Sequence, residues 1–127
     1  MALRSSTHGS FAVPGRWRLI APPLLWSVVR SALHEARWRR EIDDGQAAAA
    51  RAAFAGLGIE RDDPAELDET AWSLADELGL AKTYDAEFLA LARLRDCLLV
   101  TADARLRRGA DRLGFVVDPV ELERRSA

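Results

Sequence analysis

The feature that most constrains this chain is an alternation near its C-terminus, where short, wholly apolar segments are separated by helix-like ones. Residues 85–96 are apolar on nearly every side (Phe88, Leu89, Leu91, Ala92, Leu94), the pattern of a buried helix. Residues 97–100, Cys-Leu-Leu-Val, follow as a run too short for a helix and apolar enough for a strand covered on both faces. Residues 104–113 read as a helix closed by Gly114, and residues 115–117, Phe-Val-Val, as a second buried strand. Strands apolar on both faces and joined through helices imply a parallel sheet covered by helices, an α/β class of fold.

The rest of the chain fits that frame. Residues 24–42 form a helix introduced by Pro22 and Pro23, with Leu25, Val29, Ala32, Leu33 and Ala36 at three- and four-residue steps, broken at Asp43-Asp44-Gly45. The alanine-rich residues 46–57 predict a second helix ending at Gly58, and Ile59 an edge strand. A third helix starts near Pro64 and runs through Leu67, Ala71, Leu74, Ala75 and Leu78 to Gly79. The domain expectation is one unit of 127 residues: a poorly structured leader over 1–16, a core over 17–118, and a polar tail or last helical turn over 119–127.

Size and composition permit a core without staples. Apolar residues make up 49% and charged residues 30%, with a net charge of −2 and a pI near 5.7, so no global basic field marks a passive nucleic-acid binder. The lone Cys97 excludes an intrachain disulfide and a thiolate metal cluster, and fits a reducing cytoplasm. No run near the N-terminus is long and apolar enough for a signal peptide or membrane helix, so no membrane partner is expected.

Singly, the candidate chemical residues are weak. Asp103 follows Val100-Thr101 and precedes a helix, where an N-cap accepting helical amides is the plain reading. Asp85 opens the preceding helix in the same manner. His8 and His34 lack ligand partners at a suitable spacing, and Trp17, Trp26, Trp38 and Trp72 read as scattered packing residues.

Together they are more specific. Thr83-Tyr84-Asp85-Ala86-Glu87-Phe88-Leu89-Ala90-Leu91-Ala92, followed by Leu98-Leu99-Val100-Thr101-Ala102-Asp103-Ala104-Arg105-Leu106, resembles the C-terminal signature of VapC-type PIN domains. The resemblance reaches back through Leu24-Leu25-Trp26-Ser27 and covers roughly residues 20–118. It implies a PIN-like three-layer fold, a parallel sheet flanked by helices, and a Mg²⁺- or Mn²⁺-dependent endoribonuclease of a toxin–antitoxin system. Its partners would be an RNA substrate, a cognate antitoxin and a second copy in a homodimer. By position, the resemblance makes Asp85 and Asp103 the metal ligands and Thr101 a hydroxyl that hydrogen-bonds within the catalytic site. Mg²⁺ takes oxygen ligands and keeps several waters, so such a pair is chemically apt.

The chain departs from the family pattern twice. The family opens with a strand ending in an aspartate, whereas the first acidic residue here is Glu35. The family also carries a glutamate where this chain has Val28. Glu35 lies seven residues further on, about 10 Å along a helix axis, too far to replace it. The expectation is therefore a fold lacking the family's N-terminal strand, through a truncated or mis-set start, or with residues 11–13 or 18–21 filling the gap. An alternative reading is a degenerate, non-catalytic module that binds RNA or an antitoxin. A third is an unrelated α/β protein whose aspartates are only caps. Arg37, Arg39, Arg40, Arg105, Arg107 and Arg108 can meet phosphates, but such runs usually form a solvated, salt-bridged face.

Overall fold

A computed structural model describes residues 2–4 and 17–126. The chain is a mixed α/β protein. Its strands are β1 (Ala2–Arg4), β2 (Leu19–Ala21), β3 (Glu60–Arg61), β4 (Leu98–Val100) and β5 (Val116–Val117). Its helices are α1 (Leu24–Trp38), α2 (Asp44–Gly56), α3 (Leu67–Leu78), α4 (Tyr84–Leu94), α5 (Ala104–Gly109) and α6 (Pro119–Ser126), with a 3₁₀ turn over Asp111–Leu113.

The sheet order is β3-β2-β1-β4-β5. β2 pairs parallel with β3, and β4 parallel with β5. Between these two pairs runs β1, antiparallel to both neighbours, with Leu3 opposite Ile20 on one side and Leu99 on the other. The wholly parallel sheet expected from the alternation is thus corrected at its centre. The gap is filled by Ala2–Arg4, which was assigned to the leader. Residues 18–21 do not fill it, because Leu19–Ala21 is the adjacent strand; residues 11–13 lie outside the described residues. Unpaired edges on β2 and β4 would strand buried backbone groups, and a three-residue segment of either direction satisfies them. Because β1 is antiparallel to both sides, β2 to β5 all run one way, and their carboxyl ends share one edge of the sheet.

Side-chain alternation along the short strands divides the core. Leu99 and Val116 join the main cluster with Ile20, Leu25, Leu74 and most of α4. Val100 and Val117 point the other way and meet Leu122 of α6, with Trp17 and Leu98 packed alongside. The tail or last helical turn expected over residues 119–127 is therefore a helix covering the second sheet face as far as it is described.

Helix ends follow local chemistry. The Asp43 side chain accepts from the Gln46 N–H at 2.7 Å, and the Gln46 side chain accepts from the Asp43 N–H at 2.9 Å. This capping box starts α2 at Asp44 rather than at Gln46. α1 stops at Trp38, short of the expected Ile42, because Arg40 takes a left-handed conformation (φ 61°) and the Glu41 N–H donates back to the Ala36 carbonyl. α4 ends likewise at Leu94, where Asp96 beyond it is left-handed (φ 50°) and the buried Cys97 donates its N–H to the Ala92 carbonyl. The expected single helix over 104–113 breaks after Gly109 into the 3₁₀ turn. No described helix is long and apolar enough to cross a membrane.

Candidate functional site

The sequence-nominated residues gather around the carboxyl end of β4. Thr101 directly follows that strand, its N–H donating to the Val117 carbonyl of β5 at 3.0 Å. At 3% exposure it is the one polar side chain among the buried described residues. Its Oγ1 accepts from the Asp103 N–H at 3.0 Å, which fixes the turn between strand and helix. Asp103 then caps α5: its Oδ1 accepts from the N–H groups of Arg105 at 2.9 Å and Leu106 at 3.2 Å. Both bonds use one oxygen, so Oδ2 has no protein donor among the described residues.

Asp85 arrives from another element. It sits in the first turn of α4, where Thr83 occupies the capping position and makes no side-chain cap bond. The expectation that Asp85 caps its helix as Asp103 does is thus corrected. Its half-buried carboxyl is raised above the ordinary aspartate range, first by desolvation and then by the negative charge of Asp103. That second influence places the two carboxylates within electrostatic reach of each other. Among the described residues, neither has an ion-pair partner. An uncompensated acidic pair at a strand end and a helix start suits a cation held by oxygen ligands, or a shared proton.

Among the described residues, no group of three or more His, Cys, Asp or Glu side chains is placed to hold a metal ion. Val28 is exposed on α1, and Glu35 is engaged with Arg39 at 2.6 Å. Asp118, which the sequence reading passed over, follows β5 at the same sheet edge, but its Oδ1 accepts from the Glu121 N–H at 2.7 Å to begin α6. Its position after Val116-Val117 was the available signal, since a strand-end acid is legible in the same way as Asp103.

A second acidic group also went unread. Glu87 is raised by desolvation and then by Asp63 and Asp68, and the three line an open hollow beside the exposed Trp72. Asp62, next to Asp63, is instead gripped by the Arg95 guanidinium through two bonds of 2.7 and 2.8 Å. Asp85 and Glu87 stand two residues apart on α4, so they face different neighbours and form separate acidic groups.

Two of the four tryptophans depart from the packing role expected of them. Trp38 and Trp72 are largely exposed, while Trp26 lies edge-on to Phe54 at 6.2 Å between ring centroids. His34 contacts Arg37 at 3.2 Å and stacks on Trp38; His8 lies outside the described residues. Of the six arginines expected on a salt-bridged face, Arg37, Arg39 and Arg107 are paired with Asp44, Glu35 and Glu121, while Arg40, Arg105 and Arg108 have no ion pair among the described residues.

No protein-family model matches the chain, and neither the curated proteins nor the solved structures yield a match.

Proposed function

We propose that this chain is a PIN-like, VapC-type module directed at RNA, with a Mg²⁺- or Mn²⁺-dependent endoribonuclease site reduced to Asp85 and Asp103. The observation that supports it is that the Asp85 carboxyl, raised by desolvation and then by the charge of Asp103, and the Asp103 carboxylate come from separate elements and have no ion-pair partner among the described residues, beside the buried Thr101 hydroxyl. In this reading Asp85 and Asp103 hold the ion, Asp103 Oδ2 and the Asp85 carboxylate being the available oxygens. Thr101 acts indirectly, holding the Asp103 backbone through Oγ1. When bound, the ion would activate a water and neutralise charge at the scissile phosphate. The finer three-layer PIN architecture, a cytoplasmic setting, a homodimer and an antitoxin partner belong to the same proposal.

Two carboxylates meet the minimum for a hydrated Mg²⁺ but do not make a rigid clamp. The expected result is RNA cleavage about a hundredfold or more below that of a nuclease with four acids, since small misplacement alone costs about that factor. Val28→Glu should raise the Mg²⁺-dependent rate, and Asp85→Asn should abolish what remains. Mn²⁺ relaxation should detect weak binding that is lost in Asp85→Asn/Asp103→Asn; equal binding by the double variant removes the metal assignment. That no third acidic, His or Cys side chain joins the pair among the described residues favours one alternative, a non-cutting module that binds RNA or an antitoxin. That alternative prevails if Mn²⁺ binds but neither the wild type nor Val28→Glu cleaves RNA.

A further inference from the structure

α1 and α2 form an antiparallel hairpin: Arg37 meets Asp44 near the turn, and Trp26 meets Phe54 at the far end. Between them lies a hollow of ≈ 400 Å³, with Arg30, His34, Arg37 and Arg51 among its walls. It adjoins a second, narrower hollow toward Trp26 and Phe54, which Arg30 and Arg51 also line. A third opens over the outer side of α1 between Arg30, His34 and Trp38, with Glu35, held by Arg39, as its one acidic wall.

The charge around this groove is unbalanced. Asp44 is its one acidic lining residue, and it lies 3.7 Å from Arg37. Arg30 and Arg51 have no ion-pair or hydrogen-bond partner among the described residues, and residues 5–16 contain no acidic side chain to supply one. In a chain of net charge −2, such a local excess of cations departs from the whole. Among the other arginines, Arg18 is paired with Glu60, Arg39 with Glu35, Arg95 with Asp62 and Arg107 with Glu121, while Arg40, Arg105 and Arg108 have no ion pair among the described residues; only at the groove do unpaired guanidinium groups from two helices line one hollow. Beside the groove, the Trp38 indole is 78% exposed and lies nearly parallel to the His34 ring, 17° between planes and 6.4 Å between centroids. Unpaired guanidinium groups next to an open aromatic face are what a single strand needs, phosphates on the cations and a base on the ring. The groove walls between the arginines are mostly alanine methyls and Leu33, shallow anchors for the apolar face of an acidic helix.

We infer that the α1–α2 groove binds single-stranded RNA, with Arg30 and Arg51 on backbone phosphates and Trp38 stacking on a base. The surface is one that neither Asp85 nor Asp103 lines, so it extends the RNA-directed reading while being separable from it. The test is fluorescence anisotropy of the full chain with a fluorescein-labelled oligouridylate, in EDTA so that cutting cannot interfere. Arg30→Gln/Arg51→Gln should weaken binding at least about tenfold at low salt. It should also flatten the dependence of log K on log salt by about 1.4, at about 0.7 per phosphate contact. Trp38→Ala should weaken binding about tenfold with the salt slope unchanged, as loss of one stacked base predicts. Asp85→Asn/Asp103→Asn should bind as wild type does, even if the cleavage reading fails. Each altered side chain in the groove is exposed, so circular dichroism should report an unchanged fold. Unchanged affinity in both groove variants overturns the proposal, as does a wild type that binds no RNA at low salt. So does tighter binding of oligoglutamate that is lost in the arginine variant, which would make the groove an acidic-protein dock.

Discussion

α4 and α1 carry similar numbers of apolar residues but occupy opposite environments. α4 buries Ala86, Phe88, Leu89, Ala90, Leu91 and Ala92 within eleven residues, against the sheet on one side and α3 on the other. α1, four residues longer, buries Leu25 alone; Val29, Leu33 and Ala36 are half-covered and Ala32 is open. The difference lies in the number of layers that reach each helix, since α1 has chiefly α2 beside it. Burial and the acidic pair are therefore concentrated around α4 and β4. The α1–α2 hairpin, by contrast, presents unpaired cations and a bare indole to solvent.

The largest test of that contrast is truncation of one leucine in each helix. Leu89→Ala should cost about 2–5 kcal/mol in denaturant unfolding, and Leu33→Ala about 1 kcal/mol or less. Equal losses would erase the distinction. Smaller effects separate capping from metal chemistry. Asp103→Ala should lose about 1 kcal/mol through its cap, whereas Asp103→Asn should keep most of that stability and lose only the charge. Asp43→Ala should cost a similar amount by opening the α2 capping box.

Val28→Glu, on an exposed position, should change stability by no more than about 0.5 kcal/mol. A larger loss would show that Val28 packs as a core residue. The smallest effect concerns pH. The folded-state carboxyl of Asp85 is raised, so its ionised form is disfavoured by folding. The resulting cost is absent below the ordinary aspartate range, about pH 4, and develops as pH rises through the folded value. Asp85→Asn should therefore raise Tm slightly at neutral pH, with the gain vanishing under acid conditions. A loss of Tm at neutral pH would mean that the carboxylate is paired rather than exposed to Asp103.

The α4 pattern and the Thr101-x-Asp103 turn were legible because their causes are local. An all-round apolar helix must be covered, and an acid before a helix finds free amides within three residues. Helix boundaries were less legible where a non-glycine residue took the left-handed conformation, as at Arg40, because no residue type announced the stop.

By itself the sequence determined the α/β alternation, the buried α4, the short apolar strands and the Asp103 cap. Each depends on residues adjacent in the chain or one helical turn apart. Only the tertiary structure decided that Ala2–Arg4 enters the middle of the sheet reversed, since three residues can pair in either direction and their neighbours choose. It alone left Trp38 and Trp72 uncovered, because periodicity describes one helix and says nothing of which element lies opposite. It also brought Asp85 close enough to Asp103 to shift its ionisation, an effect of desolvation and Coulomb repulsion that depends on distance through space rather than along the chain.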